Sequence, residues 1–413
     1  MRRVCVVGAG GREHALARAL AGQGQVVVAP GNPGIPGSIP TPPTDVDADL
    51  YVIGPEGPLV DGLADRLRAD GRLVFGPGAD GARLEGSKAW MKELLTEAGV
   101  PTARHGTFVE LAPARAFLAG LAPPYVVKTD GLAAGKGVLV TDDLAEAADD
   151  VAAKLSGLAF ADAGRTVVIE EGLRGDELSV LCLCDGSRAV PLAPARDFKR
   201  LGEGGTGPNT GGMGAYSPVA GAGTALVDEL MERAVEPTVA ALRRRGIDYR
   251  GVLYAGLMLT VEGPKVLEYN VRFGDPEAQV VLPRLTSDLG DHLAEAAVGH
   301  LRTEPRFDEG TAITVVLAAE GYPASPRTGD RIEGLEPMLA SPPVGVTVYC
   351  AGVGRDADGA FVTAGGRVLA VTALGTDLSQ ARERAYDAIA GLSWPGMQSR
   401  RDIALEAACA SPS

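Results

Sequence analysis

Residues 265–279 read KVLEYNVRFGDPEAQ, and the architecture follows from how this stretch is taken. Val266, Leu267, Tyr269 and Val271 are the apolar, aromatic and β-branched residues that a half-buried strand favours. Successive side chains alternate across a strand, so Glu268 and Asn270 share one face, about 7 Å apart along it. A carboxylate and an amide oxygen side by side on a rigid element suit a hard cation such as Mg²⁺, which takes few protein ligands and leaves room for phosphate oxygens. Arg272, a bend at Gly274 and the acidic pair Asp275 and Glu277 around Pro276 follow at once. A lone Glu-x-Asn on a strand is most often only a solvated face, so its meaning depends on the rest of the chain.

Working outward, Gly251 to Leu259 pairs with this strand as a hairpin across Glu262-Gly263-Pro264, placing Glu268 and Asn270 in an antiparallel sheet. A helix precedes it: Val227, Leu230, Met231, Ala234, Val235, Val239 and Leu242 keep the 3.6 period, Pro237 should bend it and Gly246 end it. Before the helix lies the most glycine-dense run in the chain, Gly202 to Gly214 (GEGGTGPNTGGMG), entered through RDFKR at 196–200. Glycines between regular elements let backbone approach a small ligand closely, and Asn209 and Thr210 add hydrogen-bonding groups. Segments 177–184 and 189–195 alternate like antiparallel partners joined at Asp185-Gly186. Strand 167–169 ends in Glu170 and Glu171, which read either as solvated carboxylates or as a hinge that presents backbone to a purine ring while Glu177 reaches a ribose. Tyr125 to Lys128 and Val138 to Val140 flank TDGLAAGKG (129–137), a glycine hairpin tip with Lys128 and Lys136 as point charges for phosphates. It is not a Walker A loop, because Lys136 is followed by Gly137 and a strand rather than by Ser or Thr and a helix.

The amino-terminal third reads as an open parallel sheet. Val4 to Val7, a turn with Gly8, Gly10 and Gly11, and a helix through Ala15, Leu16, Ala19 and Leu20 form a βα unit whose free N–H groups and helix dipole can hold an anion. Glu13 stands at the third glycine position of the dinucleotide fingerprint, and Pro30-Gly31-Asn32 follows the second strand where a ribose-binding acid belongs. Both departures argue against NAD; a phosphate or phosphosugar and an ordinary tight turn remain as readings. Strands 50–53 and 73–75 follow, and the turns at Gly10, Asn32 and Glu56 are expected to share a crevice beyond the strand ends. Ser87 caps a helix from Lys88 to Ala98, which Gly99 and Pro101 stop sharply. In the last hundred residues, strands at 311–319, 346–350 and 367–372 and a helix at 379–389 capped by Asp377 read as a small α+β unit without a reactive cluster.

The chain has 413 residues, 46% hydrophobic and 22% charged, enough for two to four ordered domains. A net charge of −14 disfavours nucleic acid and anionic membranes as partners. Five cysteines without CxxC spacing fit a reducing cytoplasm, Cys182 and Cys184 reading as core thiols. The amino terminus is broken by glycines too early for a secretory signal, and no apolar run is long enough to span a membrane. The four histidines are scattered and read as structural.

In order, GAGGREHA (8–15), TDGLAAGKG, TGPNTGGMGAYSP (206–218), EYNVRFGDPE (268–277) and TAGGRVLAVTALG (363–375) closely resemble the phosphoribosylamine–glycine ligases of the ATP-grasp superfamily over essentially the whole chain. The resemblance implies a Rossmann-like domain at 1–100, an ATP-grasp core of two α+β subdomains at 101–310 with a mobile lid at about 120–190, and a carboxyl-terminal α+β domain at 311–413. It implies ligation of glycine to 5-phospho-β-D-ribosylamine with cleavage of ATP, in a cytoplasmic monomer or weak homodimer. By position, Lys88, Lys128, Lys136 and Gly137 would meet ATP phosphates, Glu170, Glu171, Leu173 and Glu177 the nucleoside, and Glu268 and Asn270 a Mg²⁺ or Mn²⁺ ion. Arg272, Lys136 and Asp197 would serve the chemistry; Lys199, Asn209, Thr210 and Gly212 would shape the acceptor side, and Gly10, Gly11, Glu13, Asn32 and Glu56 would face the phosphosugar. The chain departs from the family in Phe198, where histidine is common, and in Val271, where cysteine is common. Another ATP-grasp ligase or carboxylase, a nicotinamide oxidoreductase and a non-catalytic nucleotide-binding regulator are the competing readings.

Overall fold

The computed structural model describes residues 2–22, 24–132, 137–157 and 165–410. Its first 86 residues form the expected parallel sheet, in the order Gly24–Pro30, Arg2–Gly8, Leu50–Ile53, Val74–Phe75. The helix Gly11–Leu20 starts directly at the first glycine turn. Ser87 caps Lys88–Ala98 by accepting the Trp90 N–H, and Gly99 ends it in the left-handed region at φ 68°.

Two antiparallel four-stranded sheets follow. One runs His105–Phe108, Val167–Glu171, Tyr125–Thr129, Val138–Thr141 and carries helices Leu111–Ala119 and Leu144–Leu155. This lid has its own small core of Ala114, Leu118, Tyr125, Val127, Ala147, Val151, Val167 and Ile169, separate from the two large cores of the molecule. It spans 105–171, earlier at both ends than the expected 120–190: His105–Phe108 pairs with Val167–Glu171, whereas Asp176–Asp185 joins the other sheet. That second sheet runs Ala189–Pro191, Asp176–Asp185, Arg250–Thr260, Gly263–Asn270. The hairpin around residues 261–262 is as expected, with Glu268 opposite Gly256 and Asn270 opposite Tyr254.

The bend expected at Pro237 takes a specific form. Thr224–Leu230 and Glu236–Arg244 are helical, joined by a π turn over Met231–Val235. Proline cannot donate to the carbonyl four residues back and its ring collides with it, and one wider turn relieves both.

The carboxyl-terminal strands Thr311–Ala318, Arg367–Gly375 and Val346–Cys350 are joined by Arg196–Asp197 and Gly214–Ser217 into one five-stranded antiparallel sheet. The two ends of the glycine-dense region are therefore stitched to the carboxyl-terminal unit, and the sheet crosses the division expected at residue 310. Asp377 caps Leu378–Ile389 through the Gln380 N–H. Cys182 and Cys184 are buried and all five thiols are free. Buried His14 accepts the Cys350 N–H at 2.9 Å. Among the described residues no helix is long and apolar enough to cross a membrane.

Candidate active site

The lid and the second antiparallel sheet face each other across a cleft of about 920 Å³. Apolar side chains of Pro124, Val126, Val138, Val140, Leu173, Met258 and Leu267 line it, together with Lys128, Glu170, Glu171, Glu177 and Glu268. A flat ring fits between two sheets so lined, with polar groups at one end. Lys199, Asp197, Thr210 and Glu268 also line a second lobe, which continues to Lys88, Gly137, Asn270, Arg272 and Glu56. Asn209 lies on the first lobe, and Gly211 on the second.

The lysines are held from below. Glu170, 2% exposed, takes Lys128 Nζ on one carboxylate oxygen at 2.8 Å and Lys92 Nζ on the other at 3.0 Å. Burial opposes ionisation of Glu170, but the two ammonium groups hold it below the usual carboxylate range. Burial pushes Lys92 down to about 8 against the attraction of Glu170. Lys128 stays above its ordinary value despite burial because Glu170 and Glu268 both face it. Glu170 thus positions Lys128 from within the wall. Glu171 accepts the Arg104 N–H at 2.9 Å, and Lys199 bridges Glu177 and Asp197 at 2.8 Å each. Lys88 donates to the Gly131 carbonyl at 2.9 Å, which docks the start of the glycine hairpin on the helix N-terminus. Lys136 lies outside the described residues.

Glu268 and Asn270 both face the cleft, as strand alternation requires. Among the described residues the Glu268 carboxylate has no hydrogen bond or ion pair, so both oxygens are available. Asn270 Oδ1 accepts from Arg272 at 3.2 Å and keeps a second lone pair. This donor set, one free carboxylate and one amide oxygen without further acids, fits a hard divalent cation completed by phosphate oxygens. Arg272 also donates to Glu56 at 3.1 Å and Glu85 at 2.9 Å. Against burial, Arg272 and Arg12 hold Glu56 below the carboxylate range.

The amino-terminal crevice differs from expectation. Glu13 turns back into its own glycine turn, accepting the Gly10 N–H at 2.6 Å while Arg12 pairs with its other oxygen at 2.6 Å. A Cβ on Gly8 or Gly54 would come within 2.6 or 2.0 Å of the Glu13 side chain, so both glycines make room for that carboxylate. Asn32 is likewise consumed: Nδ2 donates to the carbonyls of Ala9 (2.8 Å) and Ala351 (2.9 Å), and Oδ1 accepts the Gly34 N–H. Of the expected phosphosugar set Glu56 lines the second lobe, Gly10 and Gly11 lie beside Asp275 of that lobe, and the Glu13 and Asn32 side chains are taken up by contacts within the protein. Gly212, at φ 110°, packs on Pro276, where a Cβ would meet the ring at 2.5 Å.

Sequence reading missed several groups that the fold brings in. Lys92 sits at the edge of the apolar arc of its helix, and that placement was the available signal. Arg12, Glu85 and Arg367 carried none, since each arrives from a distant segment. Arg367, from the unit read as lacking reactive groups, donates to the carbonyls of Gly211 and Asp275 at 2.6 Å and pairs with the Asp275 carboxylate at 3.1 Å.

A small antiparallel sheet carrying Lys128, set across a cleft from a second antiparallel sheet that presents an acid and an amide, is the arrangement of an ATP-grasp ligase. Family models agree over almost the whole chain: the phosphoribosylglycinamide synthetase N domain matches residues 2–85, the ATP-grasp (A) domain 86–278 and the C domain 312–406. The phosphoribosylamine–glycine ligase of Streptomyces coelicolor is 48% identical, over 98% of this chain and 99% of the relative. The crystal structure of phosphoribosylamine–glycine ligase from Thermotoga maritima superposes with a TM-score of 0.84 at 37% identity, over 97% of this chain and 100% of that one. The chain belongs to the phosphoribosylglycinamide synthetase family. At 18% identity and TM-score 0.70, covering 96% of this chain and 91% of that one, the biotin carboxylase domain of a Hydrogenobacter thermophilus 2-oxoglutarate carboxylase, crystallised with MgADP and bicarbonate, shares the fold alone.

Proposed function

We propose that this chain joins glycine to 5-phospho-β-D-ribosylamine, cleaving ATP to ADP and phosphate through a glycyl phosphate intermediate, as a step of purine synthesis. The observation that carries the reading is the convergence of Glu268, Asn270, Arg272, Lys128 and Lys88 on one cleft between two sheets. Such a set neutralises and orients a triphosphate tail, and phosphoryl transfer needs that more than a side-chain nucleophile.

In this scheme the purine lies among Val126, Val138, Leu173 and Leu267, and Glu177 and Glu171 mark the ribose end. Glu268 and Asn270 would hold Mg²⁺ or Mn²⁺, which when bound supplies charge neutralisation at the phosphate oxygens. Glycine's carboxylate attacks the γ-phosphorus and ADP leaves; Arg272 stabilises charge on the moving group, and Lys136 is assigned to the same chemistry from the sequence. Asp197, Lys199, Asn209 and Thr210 shape the acceptor side, and Glu56 with Arg12 and Arg367 faces the phosphosugar. Domains at 1–100, 101–310 and 311–413, with strands 196–197 and 214–217 of the middle one lent to the sheet of the last, a cytoplasmic location, and a monomer or weak homodimer without nucleic-acid or membrane partners complete the proposal; the free thiols support the location, and the net charge of −14 supports the lack of nucleic-acid and anionic-membrane partners.

ADP release measured with glycine, bicarbonate and freshly made phosphoribosylamine, singly and together, tests it. Full turnover should need both glycine and the amine. Stimulation by bicarbonate but not by glycine overturns the reading.

A further inference from the structure

Of the cleft carboxylates outside that scheme, Glu85 and Asp275 are paired with Arg272 and Arg367, whereas Glu277 has no ion pair among the described residues. Glu277 is 3% exposed, yet it lines the lobe that also holds Lys88, Glu268, Arg272, Asp275 and Arg367. Its Oε1 accepts the Tyr254 hydroxyl proton at 2.6 Å, and that hydroxyl lies 2.8 Å from Ser179 Oγ. The carboxylate is also held by its own backbone N–H. A Cβ at position 274 would stand 2.3 Å from Oε2, so a glycine there is what lets the carboxylate take this pose. The Tyr254 hydroxyl anchors Oε1, Oε2 lies over Gly274, and the residue lines the cleft.

The charged groups facing it come from four elements. Asp197 and Lys199 lie on and just beyond the strand Arg196–Asp197, and Tyr254 on Arg250–Thr260. Arg272 and Asp275 precede it in its own segment, and Arg367 arrives from the carboxyl-terminal sheet. Burial first, and the neighbouring Asp197 charge second, push Glu277 up to about 7, while the Tyr254 hydrogen bond and Lys199 pull the other way. A carboxylate so placed exchanges a proton near neutral pH.

We propose that Glu277 is the proton acceptor of the second half-reaction, a catalytic role that rests on the ligase reading above. As the amine nitrogen bonds to the glycyl carbonyl carbon, it gives one N–H proton to Glu277 Oε2. Collapse of the tetrahedral adduct breaks the carbon–oxygen bond to phosphate, which leaves with the electron pair. The proton then passes from Glu277 to phosphate or water, restoring the carboxylate. Nothing in the first half-reaction calls on this group, because a glycine carboxylate attacking phosphorus has no proton to lose.

The test separates the two halves. Hydroxylamine traps glycyl phosphate as a hydroxamate without the phosphosugar, so hydroxamate and ligation product are measured side by side for the wild type and for Glu277→Gln. The variant is expected to keep hydroxamate formation within about threefold and to lose product formation by roughly 100-fold or more, the usual worth of a positioned base. Tyr254→Phe supplies a second readout: the acid limb of kcat/KM for the amine, expected near pH 7 in the wild type, should move to higher pH when the hydroxyl is gone. Product formation at the wild-type rate in Glu277→Gln overturns the proposal, as does equal loss of hydroxamate and product. No glycine-dependent hydroxamate from the wild type sinks the ligase reading itself, which is a different outcome.

Discussion

Replacing Glu170 by Gln removes the single negative charge between two buried ammonium groups. Lys92 and Lys128 reach its two oxygens at 3.0 and 2.8 Å, and all three side chains are almost sealed from water. Two lysines and one glutamate sum to +1; the substitution leaves +2 in the same volume. Breaking a buried pair costs about 3–5 kcal/mol, because the orphaned charge keeps its desolvation penalty. At roughly 2–4 °C per kcal/mol for a unit of a few hundred residues, the melting temperature should fall by about 6–20 °C. Changing pH provides an internal control. Burial already holds Lys92 down at about 8, and without Glu170 it falls further. A lysine whose folded pKa lies below its unfolded value binds fewer protons when folded, so stability rises with pH across the window between the two values. The variant's deficit should therefore shrink when calorimetry is repeated near pH 9 instead of near pH 7. A melting temperature within about 2 °C of wild type near pH 7, or a deficit that stays constant between the two conditions, refutes the reasoning.

Three further substitutions probe the site. Glu268→Gln should lower ADP release by roughly 100-fold or more, since the amide cannot replace an anionic cation ligand. It should lower the melting temperature far less than Glu170→Gln does, because the carboxylate has no hydrogen bond or ion pair among the described residues and acts on Lys128 and Lys88 only through space; calorimetry beside a coupled ADP assay reads both. Asn32→Ala removes bonds to Ala9, Ala351 and Gly34 and should cost about 2–3 kcal/mol in a denaturant titration, while KM for the phosphosugar amine stays within about threefold; the reverse pattern would restore Asn32 to the substrate set. Arg272→Lys should cut kcat by roughly 100-fold, because a point charge cannot serve Glu56, Glu85 and Asn270 together.

What the sequence revealed, and what it hid, divides by range. Alternation within KVLEYNV places Glu268 and Asn270 on one face without any tertiary information, and the caps at Ser87 and Asp377 are equally local. Pro237 announces a bend, and the structure shows its form, a π turn over Met231–Val235. Glu13 was legible as a departure from the dinucleotide fingerprint, but only the fold shows that its carboxylate closes back on the Gly10 N–H. Asn32 could not be read, because its partner at Ala351 lies 319 residues away. The same holds for Arg367, which meets Gly211 across 156 residues. Local pattern fixes which groups an element presents; long-range contact decides which of them are already spent.

The central claim is that a divalent cation on Glu268 and Asn270 holds the triphosphate of a nucleotide lying between the lid and the second antiparallel sheet. The most direct measurement is a crystal structure with a non-hydrolysable ATP analogue and Mn²⁺, located by its anomalous signal. The account predicts an anomalous peak at roughly 2.0–2.3 Å from oxygens of both side chains, with the purine between Val126 and Leu267. A cation bound elsewhere, or a nucleotide at the carboxyl edge of the amino-terminal sheet, contradicts it.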